Sequence, residues 1–380
     1  MNVLGISPAF YPATYWGGPV ASLHGLYNSL ATLPDIDLRV LTTDTAGPRL
    51  SQSVEVDKFP VRYPAGYEVY LCRRRAGASF APRMFATMPG LVRWADVVHV
   101  TSVYSPSTIP ALMLCRLLRK PLVWSPRGAL QRWEATTRPR LKAIWEAICR
   151  RQLISELDAI HTTSPEEASA AQSRVPGVRV VVIPNGVVVP ARLEAREWLP
   201  GGRLRLLYLG RLHPIKGIEN LLHALATIRD LPVSLHICGA GDHAYTLSLQ
   251  SLSASLSLTD RVTFVGHVDE VGKHAEFRTA DLCVVPSFTE NFGMVVAESL
   301  AHGVPVVAAH GAPWAELETH RCGFWINNDS ASLANSIAGA RQADLHAMGA
   351  RGREWMKASF DWAIISQRMA GLLKDLAEAA

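Results

Sequence analysis

The stretch Asp281-Leu-Cys-Val-Val-Pro-Ser-Phe-Thr-Glu290-Asn-Phe-Gly-Met-Val-Val-Ala-Glu298 decides the reading of this chain. Residues 282–285 are a short apolar run stopped by Pro286, the pattern of a strand buried on both faces. Gly293 precedes a second apolar run that reads as a helix, so Glu290 falls in a strand-to-helix loop. Glu298 follows about two helical turns later, roughly 80° from the helix-start direction at about 100° per residue. Both carboxylates could therefore face the crevice that an open α/β sheet leaves at the carboxyl ends of its strands. Helix N-termini there favour anionic and hydroxyl-rich ligands. Spacing alone also fits two solvated acids flanking a helix.

Outward from this stretch, strand-sized apolar runs alternate with helix-sized segments, the pattern of parallel sheets. In the first half the strands are expected at Val3–Ile6, Leu38–Thr42, Val97–Val100, Pro121–Trp124, Ala159–His161 and Val178–Ile183. The second half restarts at Leu204–Leu209 and continues with Ser234–Cys238, Val262–Val265, Leu282–Val285, Val304–Ala308 and Gly323–Ile326. Between them Pro184-Asn-Gly-Val-Val-Val-Pro190 and the polar stretch Ala191–Gly202 read as a linker. A chain of 380 residues exceeds what one core usually supports. The expected organisation is therefore a domain over residues 1–190, a second over 191–361, and a closing helix over 362–380.

With 48% hydrophobic and 19% charged residues the chain is globular, and no apolar run approaches the roughly 18 residues of a spanning helix. Met1–Pro8 reads as a strand rather than a signal peptide, so the protein is expected to stay in the cytoplasm. Six cysteines stand singly, without the spacing of a zinc site, and are expected to be reduced and mostly buried. Charge is uneven. Residues 1–190 hold 21 Lys and Arg against 13 Asp and Glu, whereas residues 191–380 hold 17 against 20. The basic excess peaks between Arg116 and Arg151, with Trp133 and Trp145 interleaved. Such a segment suits either a solvated helix face or an anionic membrane surface, where tryptophan favours the headgroup level. No nucleic-acid-binding motif accompanies the charge, so nucleic acid is not expected as a partner.

Two loops carry residues suited to phosphate chemistry. Gly210-Arg211-Leu-His-Pro-Ile-Lys216-Gly217 follows the first strand of the second half and could bring two cations onto a diphosphate. Lys216 is followed by Gly and Ile, so this is no Walker A loop and places no hydroxyl for magnesium. Gly17-Gly18-Pro19 stands before a helix over Val20–Ala31, where glycines let backbone amides approach a phosphate. His99 and Arg127 are both expected where first-half strands end, lining one crevice; a lone strand-end histidine is more often a core or turn residue. Two patterns imitate other functions. Gly239-Ala-Gly241 with Asp260 resembles a dinucleotide fingerprint, but Asp260 precedes the next strand instead of ending it. Asp35-Ile-Asp37 imitates a metal motif on the wrong side of the sheet, and no catalytic metal or cofactor is expected. Hydrolase signatures are absent.

Taken in order, Gly17-Gly18, Ile183-Pro-Asn-Gly-Val187, Gly210-Arg211 with Lys216-Gly217, Gly239-Ala-Gly241, Val265-Gly266-His267-Val268 and the Glu290/Glu298 pair resemble retaining glycosyltransferases of family 4 over nearly the whole chain. The resemblance implies the α/β GT-B fold: two Rossmann-like, doubly wound parallel-sheet domains facing a central cleft, with the last helix returning to the first domain. It implies a nucleotide-sugar donor and a glycan acceptor; Ser125-Pro-Arg-Gly128 with Gly311-Ala-Pro-Trp-Ala-Glu-Leu-Glu318 resembles a bacterial subgroup of surface polysaccharide (O-antigen or exopolysaccharide) synthesis, which implies a lipid-linked glycan acceptor met at the inner face of the membrane. Carried over by position, Arg211 and Lys216 hold the diphosphate and Glu298 the ribose hydroxyls. Glu290, with Asn291, Phe292, Gly293 and Met294, grips the transferred sugar, while Gly17, Gly18, Gly210, Gly239 and Gly266 line the donor. Many relatives have histidine where this chain has Arg127, in Ser125-Pro-Arg-Gly128. Arginine cannot be a general base but binds phosphate or carboxylate. A nucleotide-sugar epimerase on the same scaffold, or a catalytically inactive membrane-associated scaffold, are the competing readings.

Overall fold

A computed structural model describes residues 1–47, 49–55, 58–131, 138–154 and 157–379. Arg132, Trp133 and Glu134 of the basic segment lie outside the described residues. The chain forms two compact units, Met1–Gly186 with Trp362–Ala380, and Val187–Asp361.

The first unit runs β1 (Asn2–Ile6), α1 (Gly18–Leu30), β2 (Asp37–Thr43), β3 (Val61–Arg62), β4 (Glu68–Cys72), α2 (Pro82–Trp94), β5 (Val97–Thr101) and α3 (Thr108–Leu118). It continues with β6 (Leu122–Ser125), α4 (Pro139–Arg150), β7 (Asp158–Thr162), α5 (Pro165–Arg174) and β8 (Arg179–Val182). Its sheet has the order β3-β4-β2-β1-β5-β6-β7-β8, parallel except at β3. Every residue of β5 is buried, because helices cover both faces and strands in that position must be apolar throughout. The order reverses direction between β1 and β5, the place where such sheets open a crevice at their carboxyl ends.

The second unit runs β9 (Leu204–Leu209), α6 (Ile218–Thr227), β10 (Val233–Cys238), α7 (His243–Ser255), β11 (Val262–Gly266), α8 (Glu270–Thr279) and β12 (Leu282–Val285). Then come α9 (Met294–Ala301), β13 (Val306–Ala309), α10 (Glu316–Thr319), β14 (Gly323–Ile326), α11 (Ser330–Ala340) and α12 (Leu345–Ser359). Its sheet, β11-β10-β9-β12-β13-β14, is parallel throughout and switches between β9 and β12. The two parallel α/β sheets match the fold class expected from the alternating pattern.

The terminal helix α13 (Trp362–Glu378) belongs to the first unit. Its first residue packs where a side chain is missing: a Cβ on Gly25 would come within 2.4 Å of the Trp362 ring, and so would one on Gly186. Ser29 Oγ donates to the Trp362 carbonyl at 3.0 Å.

Some sequence expectations need correction. β4 is absent from the strand list above because Glu68-Val-Tyr-Leu-Cys alternates instead of forming a continuous apolar run. The strand expected from Val304 starts at Val306, since the Val304 amide is held by Ser299 O in the turn that closes α9. Trp145 does not face solvent as a membrane anchor would. It packs on the core and donates through Nε1 to Val103 O at 2.7 Å, while Leu141, Ile144 and Ile148 are exposed on the same helix.

Candidate functional site

In the second unit the switch point joins the loops after β9 and β12. Phe288 N donates to Ile215 O at 2.9 Å, and Asn328 Nδ2 donates to Pro286 O at 2.7 Å. Gly217 stands between them with φ 62°, and a Cβ there would lie 2.2 Å from Pro286 O. Only glycine combines that left-handed backbone with that approach. The loop is thereby pinned so that Lys216 Nζ reaches Glu290 Oε1 at 2.5 Å, and Ser287 Oγ donates to the same oxygen at 2.8 Å. The Glu290 amide is fixed in turn on Gly311 O at 2.7 Å.

Arg211 projects from the same loop as an exposed residue whose carbonyl accepts from Tyr208 Oη at 2.9 Å. Partial burial, then the Arg211 and Lys216 charges, hold His213 below its ordinary pKa, a sign of the positive potential over this loop. Gly239 and Gly241 serve the packing of that loop. A Cβ on Gly239 would lie 1.8 Å from Gly210 O, and one on Gly241 would lie 2.1 Å from Leu212 O. Gly266, with φ 85°, ends β11 and borders open space.

Gly293, with φ 78°, is the N-cap of α9, and no side chain caps that end. Phe292 is buried against Trp314, whose Nε1 donates to the Phe292 carbonyl, so Phe292 can offer a ligand its backbone but not its ring. Met294 opens α9, and Asn291 precedes the cap. Glu298 lies one turn into that helix and pairs with Lys273 Nζ at 2.8 Å. Burial lowers the Lys273 ammonium's pKa, but the Glu298 and Glu270 carboxylates outweigh it and leave the group raised.

Gly17, Gly18, His99 and Arg127 belong to the first unit. Gly17, with φ 68°, caps α1, and Gly18 is the first residue of that helix. His99 does not end its strand: β5 runs on to Thr101. It is fully buried, with Nδ1 on Tyr27 Oη at 3.0 Å and Nε2 on Ser125 Oγ at 2.7 Å, and burial first, then the His161 and Arg127 neighbours, hold it neutral. It is a core residue of the sheet rather than part of an open crevice. Arg127, with φ 54°, follows β6 and donates from Nη1 to Asn185 Oδ1 at 2.6 Å.

Two family models match this chain: "Glycosyl transferase 4-like domain" over residues 17–186 and "Glycosyl transferases group 1" over residues 203–342. Together they take in most of both units. The chain belongs to these glycosyl transferases. A phosphatidyl-myo-inositol mannosyltransferase of Mycobacterium leprae is 32% identical over 211 residues, 53% of this chain and 55% of that protein. The aligned stretches span between about half and two thirds of the length of the curated relatives. Among solved structures, sucrose-phosphate synthase from Thermosynechococcus elongatus superposes with a TM-score of 0.75 at 22% identity, covering 100% of both chains. Anabaena HepE, solved with UDP-glucose, gives 0.73 at 21% identity, covering 99% of this chain and 100% of that one. At these identities the likeness concerns the fold, which is GT-B.

Two residues of this glycosyl transferase escaped the sequence reading. Ser287 carried a detectable signal, since it ends the same strand-to-loop segment as Glu290. Lys273 had none, because α8 reaches Glu298 only through the packing of the sheet.

Proposed function

We propose that this protein transfers a sugar from a nucleoside-diphosphate sugar to a hydroxyl of a glycan acceptor, with retention at the anomeric carbon and without a metal. The observation that carries the reading is the Lys216–Glu290 pair at 2.5 Å on the switch point of the second unit, inside a matched family domain. Arg211 and Lys216 would take the diphosphate, and Glu290 would accept from hydroxyls of the transferred sugar. Glu298, whose carboxyl burial pushes up while the paired Lys273 pulls it back down, would take the ribose hydroxyls. Cleavage of the glycosyl–phosphate bond builds negative charge on the leaving diphosphate, and two fixed cations stabilise it as a metal would. Attack from the leaving-group face would let the departing phosphate oxygen accept the acceptor's proton, so no separate nucleophile is needed.

The uncapped start of α9 adds backbone amides suited to the same anions. UDP is the first nucleotide to try, since UDP-glucose is bound in the Anabaena structure. Thermal stabilisation by UDP, GDP, ADP, dTDP and NAD tests the donor site, with Arg211→Ala/Lys216→Ala as control. A shift with one nucleoside diphosphate, lost in the control, supports the reading; a shift with NAD alone overturns it.

A lipid-linked acceptor, as in surface polysaccharide synthesis, suits the outer face of α4. Leu141 and Ile144 are 56% and 59% exposed and share a side with Ile148, while Arg138, Arg140 and Arg150 are exposed beside them. Apolar side chains flanked by cations are what an anionic membrane surface binds. Among the described residues no helix is long and apolar enough to cross a membrane, so the association would be peripheral. The Mycobacterium leprae relative carries phosphatidyl-myo-inositol in its name. Flotation with anionic vesicles, weakened by salt, is the check.

A further inference from the structure

The first unit has a switch-point pocket of its own, about 220 Å³ in volume, with Trp16 and Pro19 on either side of Gly17 and Gly18 in its wall. The turn after β1, the end of β5, the start of α1 and the Pro126-Arg127 turn after β6 line it, with Trp16 among the wall residues. Two of those wall residues hold buried hydrogen-bond donors without an acceptor among the described residues: Arg127 at Nε and Nη2, and Trp16 at Nε1. Nε and Nη2 form one edge of the guanidinium, the edge whose parallel N–H bonds match the two oxygens of a carboxylate or phosphate. The opposite nitrogen, Nη1, is already spent on Asn185 Oδ1. The pairing edge is therefore left over.

Among the described residues nothing around Arg127 supplies the missing anion. Among these residues Glu167 is the carboxylate whose charge acts on it, and its oxygens are engaged by the Gly128 amide at 2.5 Å and by Thr163 N and Oγ1 at 2.8 and 2.9 Å. The other titratable neighbours, Tyr27, His99 and His161, are buried and held in their neutral forms. The first turn of α1, which contributes Pro19 and Val20 to the wall, has neither an acidic residue nor a side-chain cap to offset its positive end. Buried donors without acceptors are costly, and a charged one most of all.

We propose that this pocket binds an oxyanion, a carboxylate or a phosphate monoester, carried by the sugar acceptor, with the Nε/Nη2 edge of Arg127 as its bidentate ligand and Trp16 Nε1 as a third donor. The proposal rests on the transfer reading and adds to it the chemical class of the acceptor: an anionic sugar. A neutral sugar would leave the guanidinium edge unpaired and would bind more weakly for that reason.

The test is a calorimetric titration of the full chain with methyl glucuronide, glucose 6-phosphate, inorganic phosphate and neutral methyl glucoside, with UDP titrated separately. The charged sugars should bind at least about tenfold tighter than methyl glucoside, as expected when a charged donor gains its acceptor. Arg127→Gln should abolish that preference and leave UDP affinity unchanged. Arg127→Lys, which keeps the charge but not the fork, and Trp16→Phe should each reduce it several-fold, and they carry the test if Arg127→Gln fails to fold. Preference between the glucuronide and the sugar phosphate distinguishes the two sources of the anion. Equal binding of charged and neutral sugars would overturn the proposal. So would a preference that survives both the Arg127 and Trp16 changes, or inorganic phosphate binding as tightly as glucose 6-phosphate. Loss of UDP binding in the unaltered chain would count against the transfer reading instead, because no residue of this pocket belongs to the second unit.

Discussion

The two sheets reach the same kind of switch point and furnish it in opposite ways. In the second unit two of the cations are matched inside the protein, Lys216 on Glu290 and Lys273 on Glu298, and Arg211 is exposed to solvent. In the first, Arg127 keeps one edge of its guanidinium without a partner. Matched pairs suit a ligand that brings both a phosphate for the cation and a hydroxyl for the carboxylate, because each charge exchanges one partner for another. An unmatched cation suits a ligand that brings the anion alone. The difference teaches that topology chooses where a ligand site sits, while side-chain charge balance chooses what kind of ligand it takes.

The comparison can be broken first at the matched site. Glu290→Ala should lower sugar transfer at least about 100-fold, the scale of losing one fixed group aimed at the reacting centre, with the fold intact by circular dichroism. Near-normal turnover would mean that the pair is structural. Next is the backbone that builds it. Gly217→Ala places a Cβ 2.2 Å from Pro286 O at a positive φ, and should cost about 1–3 kcal/mol in denaturant unfolding as well as weakening nucleotide binding. An unchanged midpoint would show that the two loops are not locked together.

A pH series separates the units. His161 sits in the first unit, with its pKa pushed down to about 3 by burial, then by the Arg127 charge. The unfolded chain therefore binds a proton that the folded one refuses. Stability from this group is complete above about pH 6.5 and is lost as pH falls toward 3, with a slope of up to about 1.4 kcal/mol per pH unit. His161→Gln should flatten that slope in the first unit's unfolding, and an unchanged slope would place the acid sensitivity elsewhere. Smallest of all is the surface effect. Reversing Arg138, Arg140 and Lys142 to glutamate should shift vesicle flotation by roughly 1 kcal/mol per charge at low salt and leave UDP affinity alone.

Much of this was legible in the order of residues. The run Leu282-Cys-Val-Val285 became β12 at the same boundaries because a strand covered on both faces has to be continuously apolar. Lys216 and Glu290 could be chosen in advance because each follows a strand end and stands beside a glycine or a loop. β4 was not legible, since its alternation of Glu68, Val69, Tyr70 and Leu71 is short and borders turn residues. Neither was the fate of His99. A strand-end position favours a core or turn role without fixing it, and the extension of β5 to Thr101 with Tyr27 and Ser125 on either side decides for the core.

The sequence by itself determined the two parallel α/β sheets, the loops that could hold phosphate, and the family, because periodicity and short motifs are local properties of the chain. Tertiary structure alone decided the pairings. Lys216 with Glu290 spans 74 positions and Lys273 with Glu298 spans 25, and both depend on which strands lie side by side. It also decided which cation is left over. Whether an arginine's donors are met is a sum over everything packed around it, and no local pattern carries that sum.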